Sequence, residues 1–177
     1  MLDRRGYSLG EMLWVIVILS IVSVLAVPRL DWTSLRIGSE TRNLTLQLAY
    51  AQRLAVNLQH NVLVTIDRPN RKLLIHEDAN NDGAYSSVER RRIVQLENGV
   101  NFERNGAPNL PSPGPTAELT SLLYRRDGTA SPAGVIFVNS DRGMRVGSNT
   151  DARVVEVIRA TGRGVWYRFK GGTWVKA

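Results

Sequence analysis

One apolar segment near the N-terminus constrains the fold more than any other feature of this sequence. Residues 12–28 contain no charged side chain, and Glu11 is a lone carboxylate at the start of this segment. A helix over residues 7–27, rising about 1.5 Å per residue, would be roughly 30 Å long, which is the thickness of a bilayer's hydrocarbon core. The pattern predicts one membrane-crossing helix. An ionisable group in such a helix is costly, so Glu11 is a candidate functional residue.

The residues around Glu11 resemble the class III signal of type IV prepilins and pseudopilins. A short basic leader, residues 1–6, ends in Gly6; the aromatic Tyr7 follows, and Glu11 is the fifth residue after Gly6. The resemblance implies cleavage between Gly6 and Tyr7 by a prepilin peptidase and N-methylation of Tyr7. It also implies that Glu11 pairs with the amino group of a neighbouring subunit in a filament. Such a pair would relieve two charges buried in hydrocarbon at once.

This resemblance implies a location and a set of partners. The basic side chains of Arg4 and Arg5 favour a cytoplasmic N-terminus, so the chain would cross the bacterial inner membrane once, with its head in the periplasm. The implied partners are other pilins or pseudopilins of the filament, the prepilin peptidase, the inner-membrane assembly platform and the lipid bilayer. Two alternatives stay open for the same segment: a secretory signal peptide cleaved after Val24-Leu25-Ala26, and a plain membrane anchor.

The remaining sequence predicts an α+β protein in which a long helix precedes antiparallel strands. Residues 29–60 continue the helix, because several apolar side chains there share one face: Leu44, Leu48, Ala51, Ala55 and Leu58. Residues 61–177 predict a β head whose strands alternate apolar and polar side chains. We expect strands at 62–66, 72–77, 91–97, 100–103, 122–126, 134–138, 153–158 and 165–169. The proline-rich segment 104–118 predicts an exposed loop, and residues 139–147 predict a connection.

Three further motifs make the resemblance narrower. They are the helical stretch at 48–56, the run Arg125-Arg126-Asp127-Gly128-Thr129, and Thr161-Gly162-Arg163. Together with the N-terminal signal, they resemble the GspH/FimT group of minor pseudopilins and minor pilins. The resemblance implies a pilin fold, with the hydrophobic helix packed on the β head. It also implies a structural subunit of a type II secretion pseudopilus or a type IV pilus, two systems that the sequence does not separate.

An acidic segment in the head, residues 78–89, fits the spacing of a twelve-residue calcium loop. Asp78, Asn80, Asp82, Gly83 and Glu89 occupy its first, third, fifth, sixth and twelfth positions. Oxygens that can surround one hard cation come from Asp78, Asn80, Asp82, Ala84, Ser86 and Glu89. A structural calcium ion is therefore one expectation, and no other cofactor is expected. The alternative is a hairpin in which Asp and Asn side chains bind their own backbone.

The C-terminal region is basic. The chain carries a net charge of +7, and from Asp141 onward eight Lys or Arg oppose three Asp or Glu. Arg163 and three side chains on one face of the last predicted strand suit phosphate contacts and base stacking: Trp166, Arg168 and Lys170. FimT-like minor pilins that bind DNA use a Gly-Arg-x-Arg motif, of which Gly162-Arg163 keeps the first half, whereas Val165 replaces the second arginine. Alternatives are therefore DNA uptake in natural transformation and a solvated basic face.

Catalytic signatures are scarce in this sequence. It contains no cysteine and only two histidines, His60 and His76, and no serine lies in a Gly-x-Ser-x-Gly turn. We therefore predict that the protein is not an enzyme. A last alternative is a membrane-anchored or secreted periplasmic domain unrelated to filaments.

Overall fold

The computed structural model describes residues 7–26, 31–83, 86–111 and 113–177. The leader 1–6, with Gly6, and the candidate ligand Ala84 lie outside the described residues. The described chain forms two compact units with the boundary between Trp32 and Thr33. Helices precede antiparallel strands, which confirms the predicted α+β class.

The first unit contains helix α1 (Leu9–Ala26). Its residues are apolar all round, and every side chain from Leu9 to Val24 is exposed. Within the described part of the chain, no helix combines the length and the apolar character needed to cross a membrane.

The second unit begins with helix α2 (Trp32–Leu58), close to the predicted bounds. One stripe of this helix is buried, as its apolar spacing predicts, and contains Ile37, Glu40, Thr41, Leu44, Leu48, Ala51 and Ala55. Leu58 was expected in this stripe, but its side chain is 45% exposed. The helix ends there, because Gln59 adopts a left-handed φ of 57°, and the chain turns away from the core.

The strands form two five-stranded antiparallel sheets. The first contains β1 (Asn61–Asp67), β2 (Lys72–Asp78), β3 (Arg91–Gln95), β5 (Ser121–Tyr124) and β6 (Ala130–Ser131), in the order β3-β2-β1-β5-β6. The second contains β4 (Val100–Asn101), β7 (Gly134–Ser140), β8 (Arg153–Val157), β9 (Gly164–Lys170) and β10 (Thr173–Lys176), in the order β10-β9-β8-β7-β4. The short strands β6 and β10 escaped prediction because they carry almost no alternation of their own.

One core joins α2 to both sheets. Leu48 of α2 is fully buried together with Val64 of β1 and Val155 of β8, one from each sheet. Burying an aliphatic side chain of this size contributes about 1.5–3 kcal/mol. The amphipathic helix therefore holds the two sheets together through its single apolar stripe.

The proline-rich segment is a largely exposed loop, as its composition predicts, but two of its apolar side chains are buried. Ala107 and Leu110 are buried against Phe137 and Val154 on the second sheet. The indole Nε1 of Trp174 donates a hydrogen bond to the carbonyl oxygen of Pro108 at 3.1 Å. The reason is that β7 is buried at every position, so this sheet has two apolar faces, and α2 covers only one of them.

The connection predicted at residues 139–147 contains a short helix, α3 (Asp141–Val146). The Ser140 hydroxyl caps it by accepting the Gly143 N–H at 2.7 Å. Gly147 ends it with a left-handed φ of 62°. A serine before an acidic first turn and a glycine after the last turn are helix boundary signals. This helix could therefore have been predicted from the sequence.

Candidate functional site

The predicted processing site lies at the start of α1. Ser8 and Glu11 cap this helix reciprocally: the Ser8 N–H donates to Glu11 Oε2 at 2.8 Å, and the Glu11 N–H donates to Ser8 Oγ at 3.2 Å. This is a capping box, which satisfies two backbone N–H groups that lack partners inside the helix. Tyr7 precedes the box and is 84% exposed. The Ser-x-x-Glu spacing signals this cap, and the sequence interpretation missed it.

The acidic segment folds around Asp78, whose side chain is fully buried at the end of β2. Its two carboxylate oxygens accept the N–H groups of Asp82 and Gly83, each at 3.0 Å. Asn80 joins the same turn, because its Oδ1 accepts the Asp82 N–H at 3.1 Å and its Nδ2 donates to Asp82 at 2.7 Å. Gly83 adopts a left-handed φ of 75°, as the predicted sharp turn requires.

Glu89 closes the other end of the same segment. Its carboxylate oxygens accept the Ala79 N–H at 3.0 Å and the Ser86 N–H at 2.9 Å. Among the residues that the structure describes, no group of three or more His, Cys, Asp or Glu side chains is arranged to hold a metal ion. These hydrogen bonds match the hairpin alternative, in which the acidic side chains satisfy the loop's own backbone. Calcium binding stays a prediction.

The four residues predicted to contact DNA are not equivalent in the structure. Arg163 is exposed in the turn before β9, and Arg168 and Lys170 are exposed on β9 itself. Trp166 is half-buried and packs against the main core. It is therefore not the freely exposed aromatic that base stacking was expected to use. On the opposite face of β9, Tyr167 and Phe169 pack under the proline-rich segment.

Tyr167 on that packed face also carries a hydrogen bond. Its hydroxyl donates to Glu156 Oε2 at 2.8 Å. Burial, together with this hydrogen bond and the negative charge of Glu156, raises the pKa of Tyr167 to about 12. The phenol is therefore neutral at physiological pH and has a structural role.

Trp166 and Arg168 line a groove between α2 and β9, which we call the α2–β9 groove. Its volume is about 330 Å³, and its walls are Ser34, Leu35, Gly38, Ser39, Arg42, Arg153, Trp166 and Arg168. Arg163 and Lys170 do not line it. The sequence interpretation missed Arg42 on α2 and Arg153 on β8, which lie on elements other than β9. One signal was present, because Ser34, Gly38 and Arg42 recur every four residues and so share one face of the helix.

The three arginines of the groove differ in their bonding. Arg153 is 5% exposed, and its guanidinium donates to the carbonyl of Ala152 at 3.0 Å and to the hydroxyl of Ser34 at 3.0 Å. Arg42 and Arg168 are exposed, and neither forms an ion pair with a carboxylate of the described residues. The groove therefore presents two unneutralised cations beside an aromatic ring.

The three motifs that carry the narrower resemblance meet at Gln52. Its side-chain amide donates to the Gly128 carbonyl at 2.9 Å and to the Thr161 carbonyl. Gly162 adopts a left-handed φ of 62°, and a Cβ atom there would lie 2.2 Å from the Gly128 oxygen. Only glycine fits this approach, so Gly162 has a packing role whether or not Arg163 contacts a ligand. The contact joins α2 to one turn from each sheet.

Comparisons with known proteins find one family match and a similar solved structure. A family model described as type II transport protein GspH matches residues 40–161. No curated protein matches the chain at a significant level. Among solved structures, the minor pseudopilin EpsH from the Type 2 Secretion System of Vibrio cholerae is similar, with a TM-score of 0.43 and 15% sequence identity, over 77% of this chain and 91% of that chain.

The family match covers more than half of the chain, and the segment it covers includes Gln52, Gly128 and most of both sheets. It therefore includes the contact at which the helix and both sheets meet. This chain belongs to the GspH family of type II transport proteins, as the resemblance of its motifs predicted.

Proposed function

We propose that this protein is a minor pseudopilin, a structural subunit of a type II secretion pseudopilus that assembles through its N-terminal helix. In this proposal a prepilin peptidase cleaves the chain between Gly6 and Tyr7, and the new amino group of Tyr7 is methylated. The observation that carries the proposal is α1, whose apolar side chains are exposed on every side and are preceded by one carboxylate. Such a surface needs lipid or neighbouring helices around it.

The location follows from the same helix. The apolar stretch of the sequence continues to Pro28, beyond the last described residue of α1. We propose that the precursor is held in the inner membrane by this stretch, with the β head in the periplasm. Other pseudopilins, the prepilin peptidase and the assembly platform are then its partners. The description of the family as type II transport favours a secretion pseudopilus over a type IV pilus.

Glu11 then has two roles that variants can separate. In the single chain its carboxylate caps α1 through Ser8. In the filament we propose that it binds the methylated amino group of a neighbouring subunit, since a carboxylate in an apolar surrounding is stabilised by a cation. Glu11→Gln keeps the cap, because glutamine also serves in a capping box, but it removes the charge. Ser8→Ala weakens the cap and keeps the charge.

The test is processing followed by incorporation. Mass spectrometry of the membrane-extracted protein is expected to show N-methylated Tyr7 as the first residue. A chain that begins at Val27 would instead establish the signal-peptide alternative. For assembly, we expect Glu11→Gln to be cleaved normally and yet to be lost from sheared pseudopili, whereas Ser8→Ala is incorporated. Loss of Ser8→Ala together with normal incorporation of Glu11→Gln would show that the cap, and not the charge, matters.

A further inference from the structure

We infer that the α2–β9 groove binds the phosphate headgroup of an anionic phospholipid, and so holds the head against the membrane before the subunit enters a filament. This inference rests on the proposed function, because it needs α1 in the membrane. Three observations carry it: the charge of the groove, its apolar wall, and the position of its residues in the chain.

The charge of the groove selects an anion. Arg42 on α2 and Arg168 on β9 line the same groove, and no described carboxylate pairs with either of them. Guanidinium groups suit phosphate oxygens, because their planar forks donate two parallel hydrogen bonds. Arg153 adds a third positive charge at the wall, where its contacts to Ser34 and Ala152 hold it in place. A phosphodiester is therefore a matched occupant.

The apolar wall distinguishes a lipid from a free anion. Leu35 lines the groove and is 59% exposed, and the half-buried ring of Trp166 also faces the groove. Tryptophan is enriched at membrane interfaces, where an apolar ring and a polar edge are both accommodated. A groove that combines two unpaired arginines with a leucine and a tryptophan suits a phosphate joined to glycerol and acyl chains.

The sequence position of these residues brings the groove within reach of lipid in the proposed membrane state. Ser34, Leu35 and Gly38 follow Ala26, the last described residue of α1, within twelve residues. Twelve residues span at most about 40 Å, so the groove can reach the headgroups when α1 is inserted. The charge of anionic lipid acts mainly within about one Debye length of the membrane surface, so proximity is required for this interaction. Nucleic acid is not held close to the groove in this way.

The test uses the full-length protein in micelles of a neutral detergent. Native mass spectrometry is used to count bound phosphatidylglycerol and phosphatidylcholine with identical acyl chains. The groove variant is Arg42→Gln/Arg168→Gln. The matched control is Arg159→Gln/Lys176→Gln, which removes the same charge from exposed positions that do not line the groove. Inorganic phosphate and a short DNA duplex are added as competitors in separate titrations.

We expect the wild-type chain to prefer phosphatidylglycerol, and the groove variant to bind it about 25-fold more weakly, at roughly fivefold per arginine. The control is expected to keep the preference. Equal binding of the two lipids, or equal loss in both variants, would overturn the inference. Displacement of the lipid by equimolar phosphate would also overturn it, since the acyl chains would then add nothing. Displacement by equimolar DNA would assign the groove to nucleic acid.

A second measurement separates this inference from the proposed function. Membranes that contain the full-length protein are washed at alkaline pH, which removes peripheral proteins and leaves inserted ones. A chain that stays in the membrane but shows no lipid preference would contradict only the groove. Release of the chain would contradict the membrane helix on which both proposals depend.

Discussion

The acidic segment at residues 78–89 and the α2–β9 groove carry opposite charges. They also differ in how far the surrounding residues satisfy those charges. In the acidic segment, each oxygen of Asp78 and of Glu89 accepts a backbone N–H from the segment itself. In the groove, Arg42 and Arg168 come from different elements, and neither forms an ion pair with a described carboxylate. The acidic side chains complete a local turn, and the basic side chains leave charge available to a ligand.

The difference shows that residue type and spacing alone do not identify a binding site. The acidic segment has the spacing of a calcium loop, yet its lone pairs already have donors. The groove has no sequence motif, yet Arg42 and Arg168 have no acceptors among the described carboxylates. A charged group binds a ligand more readily when the fold has not already satisfied it.

The largest expected effect is on Asp78. Asp78→Ala removes a fully buried carboxylate, leaves the Gly83 N–H without its acceptor, and leaves the Asp82 N–H with Asn80 Oδ1 alone. We expect the free energy of unfolding, measured by urea titration, to fall by about 2–3 kcal/mol. The matched control Asp82→Ala is exposed and is expected to change it by no more than about 0.5 kcal/mol. Similar losses in the two variants would contradict the central role of Asp78.

Glu40 sharpens the comparison, because it is a buried carboxylate with a donor to only one of its two oxygens. Its Oε2 has no hydrogen-bond partner among the described residues, and burial, together with the charge of Glu97, raises its pKa above the ordinary value of 4.5. The folded state therefore binds this proton more tightly than the unfolded state, so the ionised side chain costs stability as pH rises above 4.5.

Glu40→Gln is consequently expected to stabilise the fold by about 1 kcal/mol at pH 7. The gain should shrink on acidification and disappear below pH 4.5, where wild-type Glu40 is protonated in both states. Urea titrations at pH 4 and pH 7 measure it. A gain that is equal at the two pH values would show that the effect is one of packing and not of charge.

A smaller effect on stability is expected in the groove. Because Arg42 and Arg168 form no ion pair with a described carboxylate, Arg42→Gln/Arg168→Gln should change the free energy of unfolding by less than about 0.5 kcal/mol. Any change should favour folding, since two like charges are removed. A loss above about 1 kcal/mol would break the comparison, because these arginines would then be as necessary to the fold as Asp78.

The smallest expected effect is that of calcium. An ion that binds only the folded head would stabilise it by about 2.7 kcal/mol at a hundredfold excess over Kd. Because Asp78 and Glu89 would first have to release backbone N–H groups, we expect the melting temperature to be almost the same in millimolar calcium and in chelator. A rise of several degrees, abolished by Glu89→Ala, would show that the segment rearranges around the ion.

Much of the secondary structure was predictable because it depends on near neighbours. The buried positions of β1 alternate, as Val62, Val64 and Ile66 indicated, and the buried stripe of α2 follows the helical repeat up to Ala55. The errors fall where distant residues decide the outcome. The proline-rich segment is a loop, as its composition indicates, but its Ala107 and Leu110 are buried because the second sheet has an apolar face that needs cover.

The sequence by itself determined the order of helix and strands and the family to which the chain belongs, and it predicted a processing signal at Gly6, Tyr7 and Glu11. Tertiary structure decided what those residues contact. Gln52 bonds to the Gly128 carbonyl 76 positions away, and Arg42 shares a groove with Arg168. Periodicity and capping act over a few residues and can be read locally. The pairing of charges and the closing of a groove depend on which distant strands align, and only the folded chain specifies that.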